Sequence, residues 1–142
     1  MTRPTFVVDA SVVLAWFNPL EQSDYADKIL GCLNREAAIA PPLCALEVNN
    51  VLRGLEKKGA LSKLEAEQAL QSIANLPIAL DGTPHGFQMP LVSSLAREYD
   101  LTIYDACYLE LAMRLNLPLS TLDKQLLIAL DKTEVSLKKP QS

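Results

Sequence analysis

The feature that most constrains this chain is an alternation. Short β-rich or apolar runs, Thr5–Val8, Ala37–Ala40, Ile78–Leu80 and Leu117–Thr121, are separated by longer stretches with helical spacing. Glu134–Leu137 reads as a last strand and Thr102-Ile103 as a minimal one. Short strands alternating with helices predict an α/β fold, with a mostly parallel sheet covered on both faces. In such sheets, ligands sit beyond the C-terminal ends of the strands, near the point where strand order reverses.

The helical stretches follow from local chemistry. Ser11 to Phe17 ends at Asn18-Pro19, a breaking pair. Ser23 to Leu33 places Tyr25, Ile29 and Leu33 on one face and Asp24, Asp27 and Lys28 outside it. Leu43 to Lys58 stops at Gly59, and the helix from Ser62 to Asn75 opens on a capping box, Ser62 with Glu65. Phe87 to Tyr99 carries Pro90 near its first turn. Asp105 to Leu115 and Asp123 to Leu130 complete the set, with Glu110 and Arg114 marking the wet side of the former as an i,i+4 pair. Leu52, Leu55, Leu61 and Leu70 read as core ahead of interface.

A chain of 142 residues suits one domain, read as residues 1–137 with a tail over 138–142. At 49% hydrophobic residues it has enough apolar surface for a core without disulfides or structural metal. Cys32, Cys44 and Cys107 are odd in number, without paired spacing, and read as core thiols of a reducing compartment. No signal pattern stands at the N-terminus, and no apolar run approaches the roughly 18 residues of a membrane span, so a cytoplasmic protein is expected.

Four acids then stand out. Asp9 directly follows the first strand, and Asp123 follows the Leu117–Thr121 run. Glu47 lies at the edge of the apolar stripe of its helix, flanked in projection by Leu43 and Val51. Asp105 opens its helix on the side of Leu109 and Ala112. Each has an ordinary explanation: Asp9, Asp105 and Asp123 as helix caps or first-turn acids, Glu47 as one end of a salt bridge at the rim of the core. Their predicted positions agree, however, since all four are expected at one sheet edge or turned toward it.

Carboxylates gathered there repel one another unless cations lie between them. Hard oxygen donors without His or Cys suit Mg²⁺ or Mn²⁺. Such ions bind phosphate, activate water and offset charge on a leaving oxygen, so phosphodiester hydrolysis is the matching chemistry. His85, the one histidine, lies in a Gly/Pro-rich break and reads as an exposed loop residue. Nucleophile-elbow, Walker and zinc-ligand spacings are missing from the sequence.

The segments Val7-Val8-Asp9-Ala10-Ser11-Val12, Leu46-Glu47-Val48-Asn49-Asn50-Val51-Leu52, Tyr104-Asp105-Ala106-Cys107-Tyr108 and Ser120-Thr121-Leu122-Asp123-Lys124 together resemble PIN-domain nucleases, most closely VapC-type toxins. The resemblance implies a three-layer α/β/α sandwich and a Mg²⁺- or Mn²⁺-dependent endoribonuclease. It implies Asp9, Glu47, Asp105 and Asp123 as catalytic metal-binding acids, supported by Ser11, Asn50 and Thr121. It also implies a homodimer and a small antitoxin partner that occludes the site.

Two other readings remain open at the level of sequence. A phosphoacceptor or phosphatase-type module would also place aspartates at strand ends, although Asp9 lacks the adjacent carboxylate such modules usually carry. A non-catalytic module would keep the acids for metal or partner binding. The net charge of −4 shows that RNA affinity cannot come from bulk charge. A local basic rim is expected instead, from Arg53, Lys57 and Lys58 on the Glu47 helix and from Lys124, with Arg3 and Lys132 as further candidates.

Overall fold

The computed structural model describes residues 2–84 and 88–140. His85 and Phe87, the latter the expected start of a helix, lie outside them.

Four strands, β1 (Pro4–Val8), β2 (Ala37–Ala40), β3 (Ile78–Leu80) and β4 (Leu119–Ser120), form one sheet in the order β3-β2-β1-β4. All three pairings are parallel. Chain order runs outward from β1 to β3 and then jumps back to β4 on the other side of β1. The switch point therefore lies between β1 and β4, and their C-terminal ends open the crevice where α/β sheets bind ligands.

Helices α1 (Ala10–Ala15), α2 (Asp24–Cys32), α3 (Leu43–Lys57) and α4 (Lys63–Ala74) make the first two crossovers, while α5 (Met89–Tyr99) and α6 (Ile103–Leu115) make the third. Right-handed crossovers in opposite directions place their helices on opposite faces. That is the origin of the three-layer α/β/α sandwich; α1 packs on α2 and α3, and α5 packs on α6. The short α7 (Lys124–Leu130) follows β4. The sheet contributes Phe6, Val7, Val8, Ala38, Ala40 and Leu119 to a core closed by Ile29, Leu52, Leu109 and Leu126.

The caps explain most boundaries. Ser23 accepts from the Ala26 N–H, and Ser62 and Glu65 complete the expected capping box. Gly59, just after α3, has φ +81°, a left-handed turn that favours glycine. Thr102-Ile103 is not a strand: Thr102 is the N-cap of α6, its hydroxyl accepting from the Asp105 N–H at 3.1 Å, and Ile103 is the first helical residue. The last expected strand shrinks to one parallel bridge, Leu119 with Leu137. Leu52, Leu55 and Leu61 are core, whereas Leu70 is 37% exposed.

Glu110 and Arg114 do not mark a wet face. Glu110 is buried, and Arg114 reaches both it (2.7 Å) and Asp81 (2.6 Å) beyond β3, with Thr83 accepting a further bond at 3.1 Å. This cluster ties α6 to the exit of β3. At the other end Lys138, placed in the tail by sequence, is buried. Its ammonium meets Glu36 at 2.7 Å, and its carbonyl accepts from the Tyr25 hydroxyl at 2.7 Å. No helix among the described residues is long and apolar enough to cross a membrane.

Candidate metal centre

Asp9 follows β1 and is the N-cap of α1. Its Oδ1 accepts from the Ser11 hydroxyl at 2.6 Å and the Val12 N–H at 3.2 Å, and its Oδ2 from the Thr121 hydroxyl. Ser11 and Thr121 do more than hold Asp9. Ser11 Oγ accepts from the Leu122 N–H at 2.9 Å, and Thr121 Oγ1 from the Asp123 N–H at 3.0 Å. The two hydroxyls thus stitch the exit of β1 to the exit of β4. Asp123 caps α7, its Oδ1 accepting from the Leu126 N–H at 3.0 Å.

Glu47 is half-buried on α3, beside rather than within the buried stripe, which runs along Cys44, Val48, Leu52 and Leu55. Its Oε1 accepts from the Tyr108 hydroxyl of α6 at 2.7 Å. Burial, first, raises the Tyr108 phenol pKa, so this group stays a donor. Asp105 lies three residues before Tyr108, half-buried in the first turn of α6.

The electrostatics link the four acids into a chain. Burial pushes the Asp9 carboxyl up to about 7, and the Asp123 charge adds to this against the Ser11, Thr121 and Val12 hydrogen bonds. Burial also pushes Asp105 up to about 6, helped by the charges of Asp123 and Glu47. Asp123 therefore acts on both Asp9 and Asp105, and Glu47 acts on Asp105. The nearby thiols offer no competing nucleophile: burial pushes Cys44 up to about 12 and raises Cys107 as well, which disfavours thiolate.

The donor set can be tested against a divalent cation. Among the described residues, no three acidic, His or Cys side chains stand as a ready-made metal cage. The Asp9 bonds leave room on Oδ2 but little on Oδ1, while Glu47 and Asp123 each have one oxygen unused by the bonds above. Mg²⁺ commonly takes one or two carboxylates and keeps several waters, completing its shell with phosphate oxygens. The arrangement fits a hydrated ion of that kind: burial, with a smaller contribution from neighbouring carboxylates, disfavours the bare charges of Asp9 and Asp105, and a bound cation would offset that cost. It does not fit a closed, all-protein cage.

The remaining expected residues divide by position. Asn50 is exposed, and among the described residues it makes no hydrogen bond to the acids. Lys124 is exposed next to Asp123. Arg53 and Lys57 lie about 9 and 15 Å along α3 from Glu47 at 1.5 Å per residue, and Arg53 is paired with Glu56 at 3.2 Å. Arg3 precedes β1 and Lys132 lines a cavity beside Pro118, before β4. Both belong to the N-terminal sheet edge, away from the acids, because parallel strands carry all their ends in register. Tyr108 is the site residue that the sequence reading missed; its i,i+3 spacing from Asp105 was the available signal.

The PIN domain family's sequence pattern matches residues 6–132, which is most of the chain. The chain belongs to the PIN domain family. Among curated relatives it is similar to Ribonuclease VapC3 of Pyrobaculum aerophilum, 32% identical over 84% of this chain and 90% of that one. It is equally similar to Ribonuclease VapC3 of Mycobacterium tuberculosis, 32% identical over 84% and 83%. Among solved structures it resembles the crystal structure of PAE2754 from Pyrobaculum aerophilum, with a TM-score of 0.69 and 26% identity over 94% of this chain and 88% of that one.

Proposed function

We propose that this PIN-domain protein is a divalent-metal-dependent endoribonuclease and the toxin of a type II toxin–antitoxin pair. The observation that carries the reading is the meeting of the β1 and β4 exits, where Ser11 and Thr121 tie Asp9 to the backbone beside Asp123, with Asp105 close enough to feel the charges of Asp123 and Glu47. The ribonuclease names of its VapC relatives support RNA as substrate and an antitoxin as partner.

Asp9, Glu47, Asp105 and Asp123 are the residues that would hold a Mg²⁺ or Mn²⁺ ion, which when bound would supply charge neutralisation at the phosphate and a more acidic water. Ser11, Thr121 and the Val12 N–H fix the Asp9 carboxylate, and Tyr108 fixes Glu47, so these acids are oriented before substrate arrives. Asp123 lies close enough to Asp105 for its charge to raise the Asp105 carboxyl. A phosphoacceptor role fits poorly, since Asp9 is 3% exposed and both of its oxygens are engaged. Lys124 beside Asp123 is the nearest basic candidate for the RNA backbone, with Arg53 and Lys57 further along α3. Homodimerisation and a reducing cytoplasmic setting complete the proposal; the free thiols Cys32, Cys44 and Cys107 agree with the latter.

Expression in cells with sequencing of RNA ends tests it. Wild type should arrest growth and generate discrete new ends, while Asp9→Asn does neither. Equal ends from both proteins would remove the carboxylates from the chemistry.

A further inference from the structure

Each helical acid of the cluster is preceded by an exposed apolar side chain. On α6, Ile103 is 52% and Tyr104 63% exposed, immediately before Asp105. On α3, Leu46 is 74% exposed, immediately before Glu47. Single exposed apolar residues need no explanation, but these border both helical acids at once. Tyr104 lies four residues before Tyr108, on the same side of α6 and about 6 Å nearer its N-terminus. Tyr108 is the residue that touches Glu47. Tyr104 is thus an exposed aromatic in the first turn of α6, adjacent to Asp105 in sequence and one helical turn before the residue that holds Glu47.

A net charge of −4 leaves an RNA ligand short of phosphate-neutralising contacts, and Arg53 is already paired with Glu56. Stacking on an aromatic ring supplies affinity that depends neither on phosphate charge nor on base identity. Bases inside a duplex cannot offer their faces this way, whereas unpaired bases can be splayed onto a ring. We propose that Tyr104 is the platform on which an unpaired base beside the reacting phosphate stacks. This inference rests on the ribonuclease reading and deepens it.

The test uses the full-length Asp9→Asn protein, so that binding is read without cleavage. Its probe is a fluorescein-labelled, mixed-sequence 12-nucleotide RNA, single-stranded or annealed to its complement. Tyr104→Ala should weaken single-strand binding by about 5- to 100-fold, the range of one lost stack, leave the salt dependence unchanged, and barely alter duplex binding. Tyr104→Trp should retain affinity, and its fluorescence should be quenched by the RNA; Tyr104→Leu should behave as Tyr104→Ala. Equal single-strand affinity of Tyr104→Ala and its parent overturns the platform. So does equal affinity of Tyr104→Leu and Tyr104→Trp. Should Tyr104→Ala instead dissociate an oligomer in sedimentation without changing RNA affinity, the patch is a contact between copies and the platform is overturned. Cleavage of the same RNA by the otherwise wild-type chain separates the two levels. Cleavage with unaltered Tyr104→Ala affinity removes only the platform, while neither cleavage nor binding of single-stranded RNA removes the ribonuclease reading with it.

Discussion

Asp9 caps α1 through Oδ1, is held by Thr121 through Oδ2, and is 3% exposed. A cap stabilises by about 1 kcal/mol, yet burial lifts this carboxyl from 3.8 to about 7. The metal-free fold thus binds a proton that the unfolded chain has released. Because the folded pKa is the raised one, the associated stability is fully present below about 3.8 and is lost as pH rises through about 7. Asp105, raised to about 6, acts in the same direction. The metal-free protein should lose stability between pH 4 and 7 by at most about 1.4 kcal/mol per pH unit for each such group. Cation binding displaces the protons, so stabilisation by Mg²⁺ should grow over the same window. Thermal melts check this directly. At pH 8 in EDTA, Asp9→Asn should melt at or above wild type, because the buried charge is gone while Asn keeps an acceptor for Ser11 and Val12. Mg²⁺ should raise the melting temperature of wild type and leave that of Asp9→Asn unmoved. A variant several degrees below wild type in EDTA would make Asp9 a cap first.

At the scale of elements, α6 carries Asp105, Tyr104 and Tyr108 at its start and is anchored near its end by Arg114 between Glu110 and Asp81. Arg114→Ala leaves Glu110, 3% exposed, without a counter-charge. The expected cost is about 3–5 kcal/mol in urea unfolding. Arg114→Lys should recover only part of it, since one ammonium cannot reproduce the guanidinium fork. A loss below about 0.5 kcal/mol, the size of a surface pair, would contradict the anchor. This element also shows what sequence conveys and what it hides. The capping box at Ser62 and the positions of Asp9 and Asp123 after strands are local patterns and were legible. Thr102-Ile103 read as a strand because two adjacent β-branched residues favour one, while the cap that Thr102 makes depends on where α6 begins. Glu110 read as solvent-facing because its partner in sequence is Arg114; the third member, Asp81, is 33 residues from Arg114. The Tyr108–Glu47 bond, spanning 61 residues, was hidden for the same reason.

Across the whole molecule, the two sheet edges are chemically distinct. The C-terminal edge gathers the acids. The N-terminal edge holds Arg3, Lys132 and a cavity of about 710 Å³ between the end of α6 and residues 131–136. Parallel topology with β1 in the interior explains the separation: every strand delivers its following residue to one end, and the reversal between β1 and β4 opens the crevice there. Alternating strands and helices were enough to anticipate that edge, but not strand order, so Arg3 and Lys132 could not be told from the basic residues nearer the acids. The proposed activity of this edge, loaded with a divalent ion, is RNA cleavage. Its most direct measurement is cleavage of single-stranded RNA by the purified chain, titrated with Mg²⁺ or Mn²⁺ and then with EDTA, beside Asp105→Asn. The account predicts cleavage that rises with metal, stops with EDTA, and falls at least 100-fold, about 2.7 kcal/mol of barrier, in Asp105→Asn. Cleavage unaffected by EDTA, or undiminished in Asp105→Asn, would contradict it.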